Sequence, residues 1–180
     1  MVVLETERLR LEPMDDRHFA GLYAMNSDPE VMRYITGRPD TEHDTRQMIE
    51  RVKGFWRLWG YSWWTLVDRI GGAMIGAATL QHLDRDSTKP HEIGWRLLRR
   101  NWGRGYATEA ARAIVAHAFG TLTVPRVTAV ADPDNAASIA VMLRLGMRRV
   151  GPARHYGHAC MLYELTLDDY RARLPASMPA

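Results

Sequence analysis

The chain has 180 residues, 46% apolar and 25% charged, and its 24 Lys and Arg against 21 Asp and Glu give a net charge of +3. This composition fits one soluble globular domain with a sizeable core, and the charge excess is too mild to mark a nucleic-acid binder. Cys160 is the only cysteine, so neither an intrachain disulfide nor a cysteine-based metal site is possible, and the seven scattered histidines form no H-x-x-x-H pair.

At the N-terminus, Glu5, Glu7 and Arg8 cut short the apolar run from Met1 to Leu4, and no apolar run elsewhere approaches a membrane span. A cytoplasmic protein without metal, membrane or nucleic-acid partner is the expectation, and a homodimer stays open. Leu9, Leu11 and Pro13 alternate with charged residues as in a first strand. Asp15 and Asp16 open a helix with Phe19, Leu22 and Tyr23 on one face, and Asp28-Pro29 starts a short helical piece that Gly37-Arg38-Pro39 ends. Thr41 and Asp44 read as a helix cap ahead of Met48, Ile49, Val52, Phe55 and Trp56, with Gly60 as the stop. Three strands are predicted next, over 61–68, 73–83 and 90–98. A helix over 105–120 turns Ala107, Ala110, Ala111, Ile114, Val115 and Ala118 inward. A strand over 126–131 follows, then a helix from Asn135 to Leu145 closed by Gly146, and strands over 147–152 and 159–166. The order predicts an α+β fold: a mixed, mostly antiparallel sheet of about seven strands, flanked by helices, with one strand–helix–strand crossover. Residues 1–174 are expected to form one domain and 175–180 a flexible tail.

The most informative stretch is Arg100-Asn101-Trp102-Gly103-Arg104-Gly105-Tyr106-Ala107-Thr108-Glu109-Ala110, where a strand ends and a helix begins. Two glycines two apart let the backbone turn tightly and gather its N–H groups, and the helix N-terminus adds to that site for an anion. A P-loop is excluded because no G-K-[ST] follows, and Thr108 stands where a dinucleotide fingerprint needs its third glycine. A glycine turn alone is weak evidence, because such turns often hold no ligand.

The spacing Arg100-x-x-Gly103-x-Gly105 closely resembles the acetyl-coenzyme A signature of the GNAT superfamily of N-acetyltransferases. The wording W-G-R-G-Y-A-T-E-A resembles the branch that holds the ribosomal-protein alanine N-acetyltransferases. The opening L-E-T-E-R-L-R-L-E-P-M, the segment S-D-P-E-V-M-R-Y, E-I-G-W from Glu92 to Trp95 and N-A-A-S-I-A-V-M-L-R-L-G-M from Asn135 resemble the same branch in the same order. The resemblance runs from about Leu4 to about Leu167.

It implies a sheet splayed between the fourth and fifth strands, with coenzyme A entering the gap. The pantetheine arm would pair with backbone near Leu97, and an N–H at Leu97 or Leu98 would face the oxyanion. The pyrophosphate would rest on N–H groups from Trp102 through Gly103, Arg104, Gly105, Tyr106 and Ala107 to Thr108, near Arg100, with Asn135 and Ser138 also at the cofactor. Attack of an amine on a thioester needs a base, an oxyanion site and a proton for the thiolate. Glu92 is the candidate base, ahead of His91 and Glu164. Many superfamily members place an acidic tyrosine seven residues after the Asn135 position; here that residue is Met142, and Ser138 is the nearest polar replacement. Both Glu92 and Ser138 also have plain structural readings, as a strand residue and a first-turn helix residue. Trp56, Trp59, Trp63 and Trp64 are candidates for an acceptor pocket or, more simply, for the core. The expected activity is transfer of an acetyl group from acetyl-CoA to a primary amine. A silent acyl-CoA sensor is the main alternative and a nucleic-acid-binding module a third.

Overall fold

The computed structural model describes residues 1–174, so the expected tail over 175–180 lies outside the described residues. The strands are β1 (Leu4–Glu5), β2 (Leu9–Pro13), β3 (Trp63–Asp68), β4 (Met74–His82), β5 (His91–Leu97), β6 (Arg126–Ala131), β7 (Arg148–His155) and β8 (His158–Thr166). The helices are α1 (Phe19–Asn26), α2 (Pro29–Met32), α3 (Glu42–Trp59), α4 (Tyr106–Gly120), α5 (Ala136–Leu145) and α6 (Leu167–Arg171). One sheet runs in the order β1-β2-β3-β4-β5-β6-β8-β7. All neighbours are antiparallel except β5 and β6, which are joined through α4 as a parallel pair needs. The sheet has eight strands rather than about seven, because the two-residue β1 pairs Leu4 with Leu11 and Glu5 with Arg10. A pairing that short leaves no periodicity to read. The last hairpin is longer than expected, reaching His155 and restarting at His158.

Local chemistry accounts for the helix ends. Asp15 caps a 3₁₀ turn over Asp16–His18 that runs directly into α1. Thr41 and Asp44 form a reciprocal capping box on α3, and Gly60 ends that helix in the left-handed region at φ 78°. Gly146 does the same for α5 at φ 86°. On α3 the buried side chains Thr45, Met48, Ile49, Val52 and Trp56 recur at helical spacing, so one stripe faces the core. On α4 the buried set includes Ala110, Ala111, Ile114, Val115 and Ala118, and the small alanines bring the helix close to the sheet. Ala107, expected on that inward face, is only half-buried and lines an open cleft instead.

Leu9 and Leu11 of β2 and Trp64 and Leu66 of β3 are fully buried. Burial of a leucine side chain is worth about 1.5–3 kcal/mol relative to exposure. Trp64 packs edge-on against Trp56 at 5.0 Å, and its indole N–H donates to the Val2 carbonyl at 2.9 Å. Trp56 donates to the Trp63 carbonyl at 3.0 Å. Both rings therefore belong to the core, as the simpler reading of the tryptophans holds.

The approach of β4 to β5 is set by Gly76, which is paired with Leu97. A Cβ at Gly76 would collide with the Arg96 carbonyl oxygen and lie 2.8 Å from Leu97 Cα, both backbone atoms that cannot swing aside. Gly76→Ala is expected to cost about 1–3 kcal/mol by prying the two strands apart. For a domain of this size that lowers Tm by roughly 2–4 °C per kcal/mol. Thermal unfolding at an unchanged temperature would show that residue 76 does not set the strand spacing.

Candidate active site

Parallel strands β5 and β6 pair at two positions only, His91 with Val127 and Glu92 with Thr128. Beyond Glu92 they separate, and two clefts open on either side of the fork. The first, of about 1730 Å³, is lined by residues of the glycine turn and of α4 and α5; the second is about 820 Å³. Six residues line both: Tyr34, Ile35, Trp95, Arg96, Asn135 and Ser138. The clefts therefore meet beside the gap in the sheet.

The glycine turn is braced from three sides. Asn101 donates its side-chain amide to the Ile75 carbonyl at 3.0 Å, and the Trp102 indole donates to the Leu97 carbonyl at 2.9 Å. Arg8 forms the third brace. Its Nε donates to Glu109 Oε2 at 2.7 Å, its backbone N–H to Glu109 Oε1 at 2.9 Å and its Nη1 to the Arg104 carbonyl at 2.9 Å. Thr6 donates to Glu109 Oε1 at 2.6 Å. Burial pushes the Glu109 pKa up, but the bonds from Thr6 and Arg8 outweigh it and hold the carboxyl below its usual range. Gly103 and Gly105 have φ of 73° and 80°, in the left-handed region that side chains avoid. A Cβ at Gly103 would meet no protein atom within 4 Å, so the space over the turn is open.

The backbone donors divide clearly. The Trp102 N–H is taken by the Arg99 carbonyl at 3.1 Å, and the Leu98 N–H by the Ile75 carbonyl at 3.1 Å. Neither is free for a cofactor, which corrects the expectation for these two N–H groups: the 3₁₀ turn over Arg99–Asn101 uses the first and the β4–β5 ladder the second. From Gly103 to Thr108 no N–H reaches a backbone acceptor among the described residues; the first helical bond is Glu109 N–H to the Gly105 carbonyl at 3.0 Å. These donors and the α4 dipole make an anion cradle. Because N–H direction alternates along a strand and Leu98 points toward β4, Leu97 and Trp95 point into the gap. Gly103, Gly105, Tyr106, Ala107 and Thr108 line the first cleft, as does the Trp102 side chain; Leu98, Arg100 and Arg104 do not.

Asn135 caps α5 by accepting the Ser138 N–H at 3.1 Å, and both residues line the two clefts. Met142 is buried and lines the second cleft. Of the four tryptophans between α3 and β3, Trp63 alone lines that cleft; Trp59 stacks on Phe55 at 4.2 Å.

Glu92 sits at the last rung of the β5–β6 ladder, 6% exposed, and lines the second cleft. Its Oε2 accepts from Gln81 Nε2 at 3.0 Å and from the Tyr156 hydroxyl, while Oε1 has no partner among the described residues. Burial raises the Glu92 pKa, and the Tyr156 and Gln81 bonds pull it partly back. Tyr156, whose own pKa is raised mainly by burial and then by Glu92, sits in the β7–β8 turn with φ 52°. Its N–H donates to Asp84 Oδ1 at 2.7 Å, and Asp84 also holds His155 at 2.8 Å and Lys89 at 2.7 Å. Burial pushes the Asp84 carboxyl up, but these partners win and keep it at about 2. Sequence reading missed Gln81 and Tyr156, which bond Glu92 from two separate segments, and Asp84, which anchors the Tyr156 backbone; the Tyr156-Gly157 turn was the available signal.

The other two base candidates are elsewhere. His91 bonds the Tyr61 hydroxyl at 2.7 Å in a cluster with His82, lines neither cleft, and is held near 4 by burial and then by His82. Neighbours on a strand face opposite sides, which explains why Glu92 and His91 part company. Glu164 pairs with Arg126 at 3.0 Å and lines neither cleft.

A family model described as an acetyltransferase (GNAT) domain matches residues 8–148. The uncharacterised protein YkkB of Bacillus subtilis is 33% identical over 162 residues, covering 89% of this chain and 94% of its own length. The FsC-acetyl coenzyme A-N(2)-transacetylase of Aspergillus fumigatus is 32% identical over 161 residues, 82% of this chain and 65% of that protein. A solved acetyltransferase from Agrobacterium tumefaciens superposes with a TM-score of 0.80 at 27% identity, covering 92% of this chain and 94% of that one. The ribosomal L7/L12 α-N-protein acetyltransferase RimL, solved with coenzyme A, shares the fold with a TM-score of 0.78 at 18% identity, over 93% of this chain and 99% of its own. The glycine turn, Glu92, Asn135 and Ser138 all fall inside the matched residues, and Tyr156 falls beyond them. The chain belongs to the GNAT family of acetyl-coenzyme A-dependent acyltransferases.

Proposed function

We propose that this protein transfers an acetyl group from acetyl-CoA to a primary amine, a protein N-terminal α-amine or a small-molecule amine, by direct attack in a ternary complex. The observation that carries this reading is the meeting of two clefts at Ser138, beside the fork that Glu92 marks. Acetyl-CoA occupies the first cleft, with its pyrophosphate on the N–H groups from Gly103 to Thr108 and its thioester beside Trp95 and Leu97. The amine enters through the second. A sensor that only bound acyl-CoA would have no use for a buried carboxylate with one unpartnered oxygen in that second cleft.

Glu92 accepts a proton from the ammonium, directly or through one water. The freed amine nitrogen bonds the acetyl carbon, and the backbone N–H of Leu97 or Trp95 faces the oxyanion. The C–S bond then breaks, and the thiolate takes a proton passed by the Ser138 hydroxyl, which recovers one from the amide nitrogen. Starting from the ammonium, acetyl-CoA and acceptor become coenzyme A and N-acetylamine, and the one proton taken by Glu92 is released to solvent. At neutral pH, deprotonating an α-amine of pKa about 7.8 costs roughly 1 kcal/mol, against about 4–5 kcal/mol for a lysine amine of about 10.4.

Three outcomes test these assignments. Gly103→Val and Gly105→Val force a β-branched residue into the left-handed region and fill the open cradle. Calorimetry on the folded variants is expected to show severe loss of acetyl-CoA affinity, and unchanged affinity would remove the phosphate cradle from this turn.

Ser138→Ala should lower kcat with little change in acetyl-CoA affinity. If affinity falls and turnover holds, Ser138 binds the cofactor and donates no proton.

Glu92→Gln should lower kcat/KM at neutral pH by the order of 10²-fold. The loss should shrink as pH rises and the amine deprotonates unaided. Because the Tyr156 hydroxyl stabilises the charged form of Glu92, Tyr156→Phe should move the acid limb of the pH–rate profile to higher pH. Profiles that superimpose on wild type for both variants would take the base role away from Glu92.

A further inference from the structure

The second cleft is lined by four arginines, Arg51, Arg85, Arg96 and Arg154, against two carboxylates, Asp84 and Glu92. Asp84 is already committed to His155, Lys89 and the Tyr156 N–H. Glu92 is held by Gln81 and Tyr156. None of the four arginines has a carboxylate within 4.0 Å among the described residues.

Aromatic rings hold two of them instead. The Arg96 guanidinium lies over the Trp63 ring at 4.8 Å, with Nη1 donating to Asn26 Oδ1 at 3.1 Å. Arg85 lies over the Tyr156 ring at 5.3 Å. A stacked guanidinium keeps its in-plane donors pointed outward and available. Arg85 is also placed at a cost: it and Asp84 both adopt left-handed backbone, with φ of 60° and 56°. Burial pulls the Arg96 pKa down to about 10; Asp40 offsets part of this, and Arg51 and Arg85 add to it. Like charges are thus gathered in a half-enclosed space where Asp40 offsets only part of the repulsion, and an anion placed there would relieve more of it.

The floor of the cleft leaves room for such a group. Glu92, Gly94 and Arg96 follow one another on one face of β5, two residues apart, and the middle one has no side chain. The base is therefore at one end of an open floor and a guanidinium at the other. Phe55 and Trp63 supply apolar walls.

We infer that the acceptor is a small amine that carries its own anionic group, a carboxylate or a phosphonate-like oxyanion, held by Arg96 on the floor and by Arg51 and Arg85 at the rim. This rests on the acetyl-transfer reading above and names the substrate class of the same site. The amine of such a molecule points to Glu92 and the thioester while its anion points to the guanidinium groups, so charge sets its orientation.

The test uses the wild-type enzyme with acetyl-CoA, following thiol release with each of the common amino acids, its carboxamide and its aminophosphonate analogue. The best acceptor is expected to be an acid, with the matching amide poorer by roughly tenfold or more in kcat/KM, the worth of one charge-assisted contact. A carboxylate or a phosphonate as the better acid identifies which oxyanion the site takes. Arg51→Gln and Arg85→Gln should raise KM for the acid by a similar factor while leaving KM for the amide and the acetyl-CoA dissociation constant unchanged. Amides used as well as acids, arginine variants that affect both alike, or weakened acetyl-CoA binding would each overturn the inference and leave acetyl transfer itself standing. If no amine is acetylated, calorimetric titration of the same acids into the coenzyme A complex decides: binding lost in Arg51→Gln supports the anion site, and no binding overturns it. Failure of the acetyl-transfer reading would show separately, as absence of thiol release with acids and amides alike.

Discussion

Strands β5 and β6 are hydrogen-bonded through two residue pairs and then part. A parallel pair that stops this early leaves backbone donors and acceptors of β5 facing an open gap, where polar groups need partners. The α4 crossover makes the parting possible, since it separates the two strands in sequence and fixes β6 independently of β5. β6 takes its ladder from β8 instead, pairing along its whole length from Arg126 to Ala131. On the other side, β5 is secured by seven pairs to β4, down to the close approach at Gly76. The gap is therefore flanked by two half-sheets, each with its own antiparallel ladder.

The chemistry on the two sides of the fork follows from which groups each half-sheet contributes. On one side the donors are backbone N–H groups at the start of a helix, fixed by glycine geometry and by the Arg8–Glu109 brace. They carry no ionisable proton, and they are suited to hold an anion without exchanging one. On the other side the groups are side chains: a buried carboxyl balanced between burial and two hydrogen bonds, and guanidinium groups with few partners. A balance of that kind can shift with pH or with a bound charge. In the proposed reaction, binding and proton transfer are separated in space and joined at Ser138.

Much of the first cleft was legible in the chain. Gly103 and Gly105 two apart, a strand before and an alanine-rich helix after, follow directly from local backbone sterics, and both glycines have the positive φ that such a turn requires. Asn135 as a cap and Gly60 and Gly146 as helix stops were legible for the same reason. The brace on the turn was not. Thr6 and Arg8 are about a hundred residues from Glu109, and nothing local marks a T-x-R segment as the partner of a helix-borne glutamate. Trp102 and Leu98 were misjudged as free N–H donors because a 3₁₀ turn and a ladder position become visible only once the chain is folded.

The sequence by itself determined most of the elements, their order and the glycine turn, because capping, periodicity and glycine conformation act within a few residues of each other, but not the two-residue β1 or the short α6. It also drew attention to Glu92, which lies on β5 where that strand parts from β6. Only the tertiary structure decided what environment that carboxylate has. Gln81 comes from β4, Tyr156 from the β7–β8 turn and Asp84 from the segment after β4, and their convergence fixes how strongly Glu92 holds its proton. The arginines of the second cleft come from α3, β5, β7 and the segment after β4, so their shared field is a property of packing. Electrostatic interactions depend on distance through space and on burial, and neither quantity is written in the spacing of residues along a chain.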